Sequence, residues 1–446
     1  MKQFNLIGVD VSDSSIKVLQ LNDENSIVAC GIKSLPKGVV EKGQIMDVEA
    51  FSAILNEILE TTKPQILETE KTNLRTVLCL PESKLFSHHC IVPDSVKQKE
   101  LKDYILSDAQ KIIPFELDTL YWNYHVAKEN GVRNATFNGV VKADLDNYVK
   151  AFSYAKLKPA CVSGELFSLG CSLLPNPPLE EDYLIVDTGA HSTTIGIFGV
   201  DAVANLSIII PLAGDYLSQF LAERIGVSLE EAEHLKRQFG VSTTSEDTRV
   251  PIIIREAMLP IIDKIIEAKS YFEAKTGNPI KHLILAGGSA LLPQIQDFFS
   301  EKIGIEARIA NPFLKIKDHE LLGEDTPGIF FANVVGLALL ATRADFSHLN
   351  LLTQYRYDED SVEKEVLSIR EVRSVSDFYY VIHSYLLRVK AVMLSKHATP
   401  ILALRAIPDI PEFTSFAGPN EPRATPVLPG LAEPFYAGTQ RGGFRF

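Results

Sequence analysis

Two aspartates, Asp10 and Asp187, stand where a run of apolar β-formers gives way to small polar residues. The segments are Leu6-Ile-Gly-Val-Asp-Val-Ser-Asp-Ser-Ser-Ile-Lys17 and Leu184-Ile-Val-Asp-Thr-Gly-Ala-His-Ser-Thr-Thr-Ile195. A carboxylate at the end of a buried strand can hold a magnesium ion through its water shell, and two facing carboxylates make a divalent-ion locus. The turns beside them, residues 12–15 and 189–194, offer backbone N–H groups and hydroxyls that surround phosphate oxygens without a broad cationic surface. Lys17 adds a single point charge. A third turn, Gly287-Gly288-Ser289-Ala290, follows the apolar run 283–286 and precedes a helix opening near Pro293. Such a turn lets a flat base or ribose approach the backbone closely. Singly, each is an ordinary structural turn; their order and spacing together point to one nucleotide site.

The elements that must position these residues are legible as two related halves. Each aspartate lies in a predicted hairpin, a strand, a small-residue turn and a second strand, recurring after about 177 residues. The recurrence suggests a duplicated α/β domain. Between the hairpins, residues 74–90 and 136–141 read as strands, and residues 96–113 as a helix stopped by Pro114. These mark a small inserted subdomain over about 77–151. After the second hairpin, residues 217–225, 229–239 and 252–276 read as helices before the strand of residues 280–286. The expected division is 1–180 for the first half, 181–345 for the second with a helical insertion at about 211–278, and 346–446 for an extension. Eight of the 24 prolines fall between Pro400 and Pro434 with no periodic apolar face, so an extended tail is expected from about residue 398.

Composition narrows the function. With 446 residues, 46% apolar and 23% charged, the chain is long enough for two cores. A net charge of −13 argues against nucleic acid as a partner. Five cysteines without close pairing give neither a disulfide framework nor a zinc site, which fits a reducing cytoplasm. The longest weakly polar run, residues 329–342, falls short of a membrane span, so membrane contact is expected to be indirect. There is no Walker-type phosphate loop, His-Glu-x-x-His or Gly-x-Ser-x-Gly motif. The adjacent His88 and His89 of a predicted strand point to opposite faces and do not converge on one metal.

With these turns in view, residues 1–345 resemble the actin-like ATPases, and among them the PilM family of type IV pilus assembly. The resemblance rests on Ile7-Gly-Val-Asp-Val-Ser-Asp-Ser-Ser-Ile-Lys17, Asp108-Ala-Gln-Lys-Ile-Ile-Pro-Phe-Glu-Leu117, Pro211-Leu-Ala-Gly-Asp215, Ala232-Glu-His-Leu-Lys236 and Gly336-Leu-Ala-Leu339. It implies an actin-like ATPase fold of two duplicated ribonuclease-H-like α/β domains with a small inserted subdomain. It also implies ATP with Mg2+. Asp10, Ser12, Ser14, Ser15 and Lys17 would form the first phosphate loop, and Asp187, Gly189, Ser192 and Thr193 the second, with Asp10 and Asp187 as ion holders. Gly214, Gly287, Gly288 and Ser289 would line the nucleoside. Glu233 and Lys236, three apart on a helix, either reach the ribose or base or form a surface ion pair. Glu165 either orients an attacking water or serves a helix as cap or hydrogen-bond partner, so at most a slow ATPase is implied. Where the family carries glycine this chain has Ser12, which would strain a turn needing positive φ and lower ATP affinity.

The implied partners are a PilN-like membrane protein, gripped through its cytoplasmic peptide, and with it PilO and the pilus motor ATPase. The implied location is the inner face of the cytoplasmic membrane. Two other readings compete. A sugar-kinase relative would need a catalytic aspartate in the cleft, and an FtsA-like cell-division protein would use residues 378–394 as a membrane-binding helix. Finally, Leu349-Asn-Leu-Leu352 resembles the Asn-Leu-Leu peptide of PilN, here on the same chain. Tethering would then bring that peptide to a roughly millimolar local concentration, so that it fills its own groove or a neighbour's.

Overall fold

The computed structural model describes residues 5–66, 74–129, 131–244, 248–322, 326–343 and 350–355. The first half runs β1 (Asn5–Val11), β2 (Ser15–Leu21), β3 (Ile27–Ser34), β4 (Val40–Glu41), β5 (Gln44–Ile45), α1 (Val48–Glu60) and β6 (Leu74–Leu80). It continues through β7 (Leu85–Val92), α2 (Leu101–Gln110), β8 (Leu120–Glu129), β9 (Val132–Val141), α3 (Lys142–Tyr154), β10 (Lys158–Gly164) and α4 (Glu165–Leu173). The second half comprises β11 (Tyr183–Thr188), β12 (Thr193–Phe198), β13 (Ala204–Ile210), α5 (Gly214–Ile225), α6 (Leu229–Phe239) and α7 (Arg249–Thr276). It closes with β14 (His282–Ala286), α8 (Ile295–Ile303), β15 (Ala307–Ile309) and α9 (Ala332–Ala341).

The two main sheets have the same plan. One runs β3-β2-β1-β6-β10 and the other β13-β12-β11-β14-β15, each with two antiparallel pairs from a hairpin meander and two parallel pairs beyond. In the first, Asp10 pairs with Lys17 across the hairpin; in the second, Asp187 pairs with Thr194. Topology therefore makes the two aspartates equivalents.

Each half has its own core. Ile7, Val9, Phe51, Leu78 and Phe152 anchor the first, and Leu184, Ile195, Phe198, Ile261 and Leu285 the second. Helix α9, the apolar run near the end of the second half, returns to lie on β1, β2 and β6, where Leu337 and Leu340 join Val77, Cys79 and Cys161. Two glycines permit the approach. A Cβ on Gly8 would lie 2.7 Å from the Ala338 nitrogen, and one on Gly336 would lie 1.8 Å from the Ser168 carbonyl oxygen of α4.

The insertion is narrower than the sequence suggests. The run 74–90 is two strands, because Pro81 has no N–H to give a ladder and residues 82–84 turn there; β6 stays in the main sheet and β7 leaves it. The separate sheet is β7-β9-β8, covered by α2, whose Leu101, Ile105 and Ala109 bury against Cys90, Ala135 and Phe137. Strand β8 is the aromatic-rich run after the Ile-Pro-Phe element. Helix α3, though inside the expected insertion, packs Leu145, Tyr148 and Phe152 into the main core. No described helix is long and apolar enough to cross a membrane. Residues 378–394 lie outside the described residues.

Candidate functional site

The first turn is closed by serine. Ser12 N–H donates to the Ser15 carbonyl at 2.9 Å, and Ser12 Oγ accepts from Ser15 N–H at 3.1 Å. Ser12 has no positive φ, so the expected strain is absent: the hydroxyl ties the turn where glycine would leave it loose. Ser14 is exposed while its carbonyl accepts from Leu35 N–H at 2.8 Å. Asp10 and Lys17, both buried, form an ion pair of 2.9 Å across the hairpin. Lys17 is thus held by Asp10, and the pair is the charge-balanced floor of the turn.

The second turn and its surroundings converge more closely. Gly189 N–H donates to the Ser192 carbonyl at 3.1 Å, and Gly214 N–H donates to the Gly189 carbonyl at 3.1 Å, which brings the start of α5 against the turn. Thr193 is fully buried and donates to the Leu212 carbonyl at 2.7 Å, so its hydroxyl serves the fold. Gly287 has φ +76, and a Cβ there would lie 2.4 Å from Asp187 Oδ1. Only glycine lets the turn after β14 sit against that carboxylate. A Cβ on Gly214 would lie 3.5 Å from Lys236 Nζ and 3.6 Å from Ser289 Oγ, while Gly288 faces Phe330. Gly189, Gly214, Lys236 and Ser289 are therefore neighbours.

Lys236 is buried beneath this cluster, donating to the Gly214 carbonyl and Ser218 Oγ, each at 2.8 Å, and paired with Glu233 at 2.6 Å. Glu233 also accepts from Arg237. Burial pushes the Glu233 carboxyl up, but Lys236, Ser218 and Arg237 outweigh it and hold it down at about 2. This pair is an internal brace of α5 and α6 rather than a solvated surface pair.

Between the halves sit carboxylates, of which among the described residues only Asp10 has a cation partner, Lys17. Glu165 opens α4 and accepts from Glu82 N–H at 3.1 Å. Burial, followed by the Asp187 charge, pushes its carboxyl up to about 8. Asp187 is pushed up to about 6 by burial and then by Asp10. Both keep some surface open to the cleft, yet protein encloses them closely enough to disfavour the charged form. Glu82, buried, is raised to about 7 by burial against the hydrogen bonds it accepts from Leu166 N–H and Ser207 Oγ. Glu82 was missed in sequence; its signal is an acid directly after the proline that ends β6.

Three further residues, His191, Asp215 and Asp13, were missed because their contacts are made between segments far apart in sequence. His191 Nδ1 lies 2.7 Å from Asp215 Oδ2, and its Nε2 lies 3.3 Å from Asp13 Oδ2. Asp13 is itself held by the N–H groups of Lys42 and Gly43, both at 2.8 Å. The contact joins the first turn to the second. A cavity of about 490 Å3 lies elsewhere, between β7, β13 and α7, and reaches Glu82 and Gly164 at one end. It is spatially distinct from the paired aspartates and lacks phosphate-binding turns.

Away from the cleft, the adjacent histidines behave as the period of a strand dictates. His88 and Cys90, two apart, share one side of β7 and meet Asp108 of α2 within 4.8 Å. Asp108 is already engaged by His88 Nε2 at 2.9 Å and Lys111 at 3.0 Å. The five cysteines are free and buried.

Residues 8–340 match the family model described as Type IV pilus assembly protein PilM. The chain belongs to this family. Among curated relatives, the cell division protein FtsA of Neisseria meningitidis serogroup B is 20% identical over 346 residues, 68% of this chain and 83% of the relative. FtsA of Bacillus subtilis is 19% identical over 372 residues, 71% and 81% respectively. Among solved structures, a PilM-PilN type IV pilus biogenesis complex superimposes with a TM-score of 0.62 at 18% identity, covering 76% of this chain and 99% of that one. The fold is the actin-like ATPase fold, with two duplicated ribonuclease-H-like halves and an inserted subdomain. The family match sets the chain in type IV pilus assembly, ahead of the cell-division and kinase readings.

Proposed function

We propose that this protein is a nucleotide-responsive scaffold of type IV pilus assembly, binding ATP with magnesium between its halves and gripping a PilN-like membrane protein through that protein's cytoplasmic peptide. The observation that carries the nucleotide reading is the pairing of topologically equivalent turns. Asp10 and Asp187 occupy the same place in two identical sheets, and Gly287 gives the third turn access to Asp187. The donor set fits the ion: hard carboxylate oxygens of Asp10 and Asp187 suit magnesium, directly or through water. Such an ion would neutralise phosphate charge. The chain's own residues supply the rest: Ser12, Ser14 and Ser15 shape one turn, Gly189 and Ser192 the other, and Gly214, Gly288 and Ser289 a smooth wall for the nucleoside.

Nucleotide acts here mainly as a conformational ligand that favours one arrangement of the halves. In this reading Glu165 would orient water, and a carboxyl raised to about 8 is mostly protonated at neutral pH, which fits slow turnover. The partner reading rests on family membership and on the likeness to the PilM-PilN complex. PilO and the motor ATPase are its further neighbours, reached at the cytoplasmic face of the inner membrane.

Calorimetry with Mg-ATP tests the site. Asp187→Ala should weaken magnesium-dependent binding at least tenfold and leave the melting transition in place; unchanged affinity would remove the assignment. Co-purification with a PilN-like protein, with and without ATP, tests the partner independently.

A further inference from the structure

The insertion carries a cluster of ligand atoms of a different kind from those of the cleft. His88 and Cys90 stand two apart on β7, so the period of the strand sends both side chains to one face, the face that α2 covers. Asp108 of α2 meets them there. A ring nitrogen of His88, Cys90 Sγ and a carboxylate oxygen of Asp108 all lie within 4.8 Å of one another. His88 Nε2 is 2.9 Å from Asp108 Oδ2, and the Cys90 thiol is hydrogen-bonded to the same carboxylate. Strand β7 keeps an unbroken register with β9 from Leu85 to Val92, and Leu101, Ile105 and Ala109 pack α2 onto that sheet, so the three side chains project from rigid elements.

Two details separate this cluster from an ordinary ion pair. The carboxylate is divided: Oδ2 faces His88, while Oδ1 accepts from Lys111 Nζ at 3.0 Å, an outer contact of the sort that orients a ligating oxygen. A buried thiol is also a weak hydrogen-bond donor, so hydrogen bonding alone would be served better by serine at position 90. A thiolate, an imidazole and a carboxylate are instead a donor set of zinc, whose bonds of about 2.0–2.3 Å would draw the three atoms together from their present spacing. The His88 and Asp108 side chains are 16% and 25% exposed, which leaves one side open to water. His89 points to the opposite face, bonded to Thr136 Oγ1 at 3.1 Å, and takes no part.

We propose that His88, Cys90 and Asp108 bind one Zn2+ ion, with water in the fourth position, and that the ion clips the end of α2 to β7. On binding, the thiol releases its proton to solvent, and His88, neutral with its proton on Nδ1, ligates through Nε2 in place of its bond to Asp108. The helix so held leads into the Ile-Pro-Phe turn, where Ile112 and Phe115 are 67% and 40% exposed and the Phe115 ring packs 5.0 Å from that of Phe86. Ligand softness keeps this ion apart from magnesium: thiolate and imidazole suit zinc, whereas the paired aspartates of the cleft offer only hard oxygens. The site stands independently of the nucleotide reading, whose carboxylates belong to the main sheets.

Cobalt(II) substitutes for zinc and reports its ligands in the absorption spectrum. Titrated into the reduced, metal-free full chain, Co2+ should bring up visible d–d bands and a near-ultraviolet thiolate-to-cobalt charge-transfer band that saturate at one ion per chain. Zn2+ should bleach both, and excess Mg2+ neither. Cys90→Ser should abolish the charge-transfer band, His88→Ala should weaken Zn2+ binding at least tenfold, and His89→Ala should match the wild type. Zn2+ should also raise the melting temperature of the wild type and leave that of Cys90→Ser in place. Where Cys90→Ser lacks a cooperative melting transition without metal, His88→Ala and Asp108→Asn take over the test. A wild-type chain that melts cooperatively yet shows no charge-transfer band, a band that survives Cys90→Ser, or Zn2+ binding weakened by neither His88→Ala nor Asp108→Asn overturns the proposal.

Discussion

At the scale of single residues the cleft is defined by carboxylates that the fold holds partly protonated. Glu82 is the clearest case because it lies away from the proposed ion. Its folded pKa of about 7 is above the unfolded carboxylate range, so the native state binds a proton more tightly than the unfolded chain. The stability this confers is complete below about pH 4 and lost as pH rises through 7. Glu82→Gln keeps the shape and removes the titration. Denaturant titrations at pH 5.5 and 8 should therefore show wild type losing roughly 1–3 kcal/mol more than the variant over that interval; parallel pH profiles would show that Glu82 ionises freely. The topological equivalence of Asp10 and Asp187 was legible, because each ends an apolar run before a small-residue turn of a hairpin. Glu82 was not, since its burial is decided by Ser207 and Leu166, far away in sequence. Ser12 was legible as a departure but not as a remedy, because its bonds to Ser15 depend on where the turn closes.

At the scale of elements, periodicity located most helices, including residues 229–239 without error, and both hairpins. It merged β6 with β7, since apolar character continues through residues 74–90 and only Pro81 marks the change of sheet. It assigned α3 to the insertion because chain order says nothing about which core a helix joins. The crossing of α4 and α9 was equally hidden: Gly336 is quoted easily from sequence, but its reason is the Ser168 carbonyl 1.8 Å from where a Cβ would stand. That oxygen belongs to helix backbone and has little room to move. Gly336→Ala should accordingly destabilise the protein by about 3 kcal/mol or more, read as a lower urea midpoint with an unchanged slope. A midpoint within experimental error of wild type would mean that the two helices separate without cost.

At the scale of the whole molecule, the two halves meet through a buried helix pair, through hydrogen bonds such as Ser207 to Glu82 and His125 to Asp201, and through a polar contact at the turns. The helix pair is close-packed and tied by Ser168 Oγ donating to Asn333 Oδ1 at 2.7 Å, so it suits a pivot. The contact of His191 with Asp13 and Asp215 is different in kind, because the His191 side chain is 58% exposed and Asp215 63%. Exposed pairs contribute little to stability, typically less than about 1 kcal/mol. Their effect is on how often the turns part, and under the proposed nucleotide reading a phosphate entering between the turns would displace them. His191→Ala should leave the melting temperature nearly unchanged. It should speed amide hydrogen exchange in residues 12–15 and 189–193 by severalfold, and it should raise the association rate of Mg-ATP measured by stopped-flow fluorescence. Exchange and association both at wild-type rates would show that the turns open independently of His191.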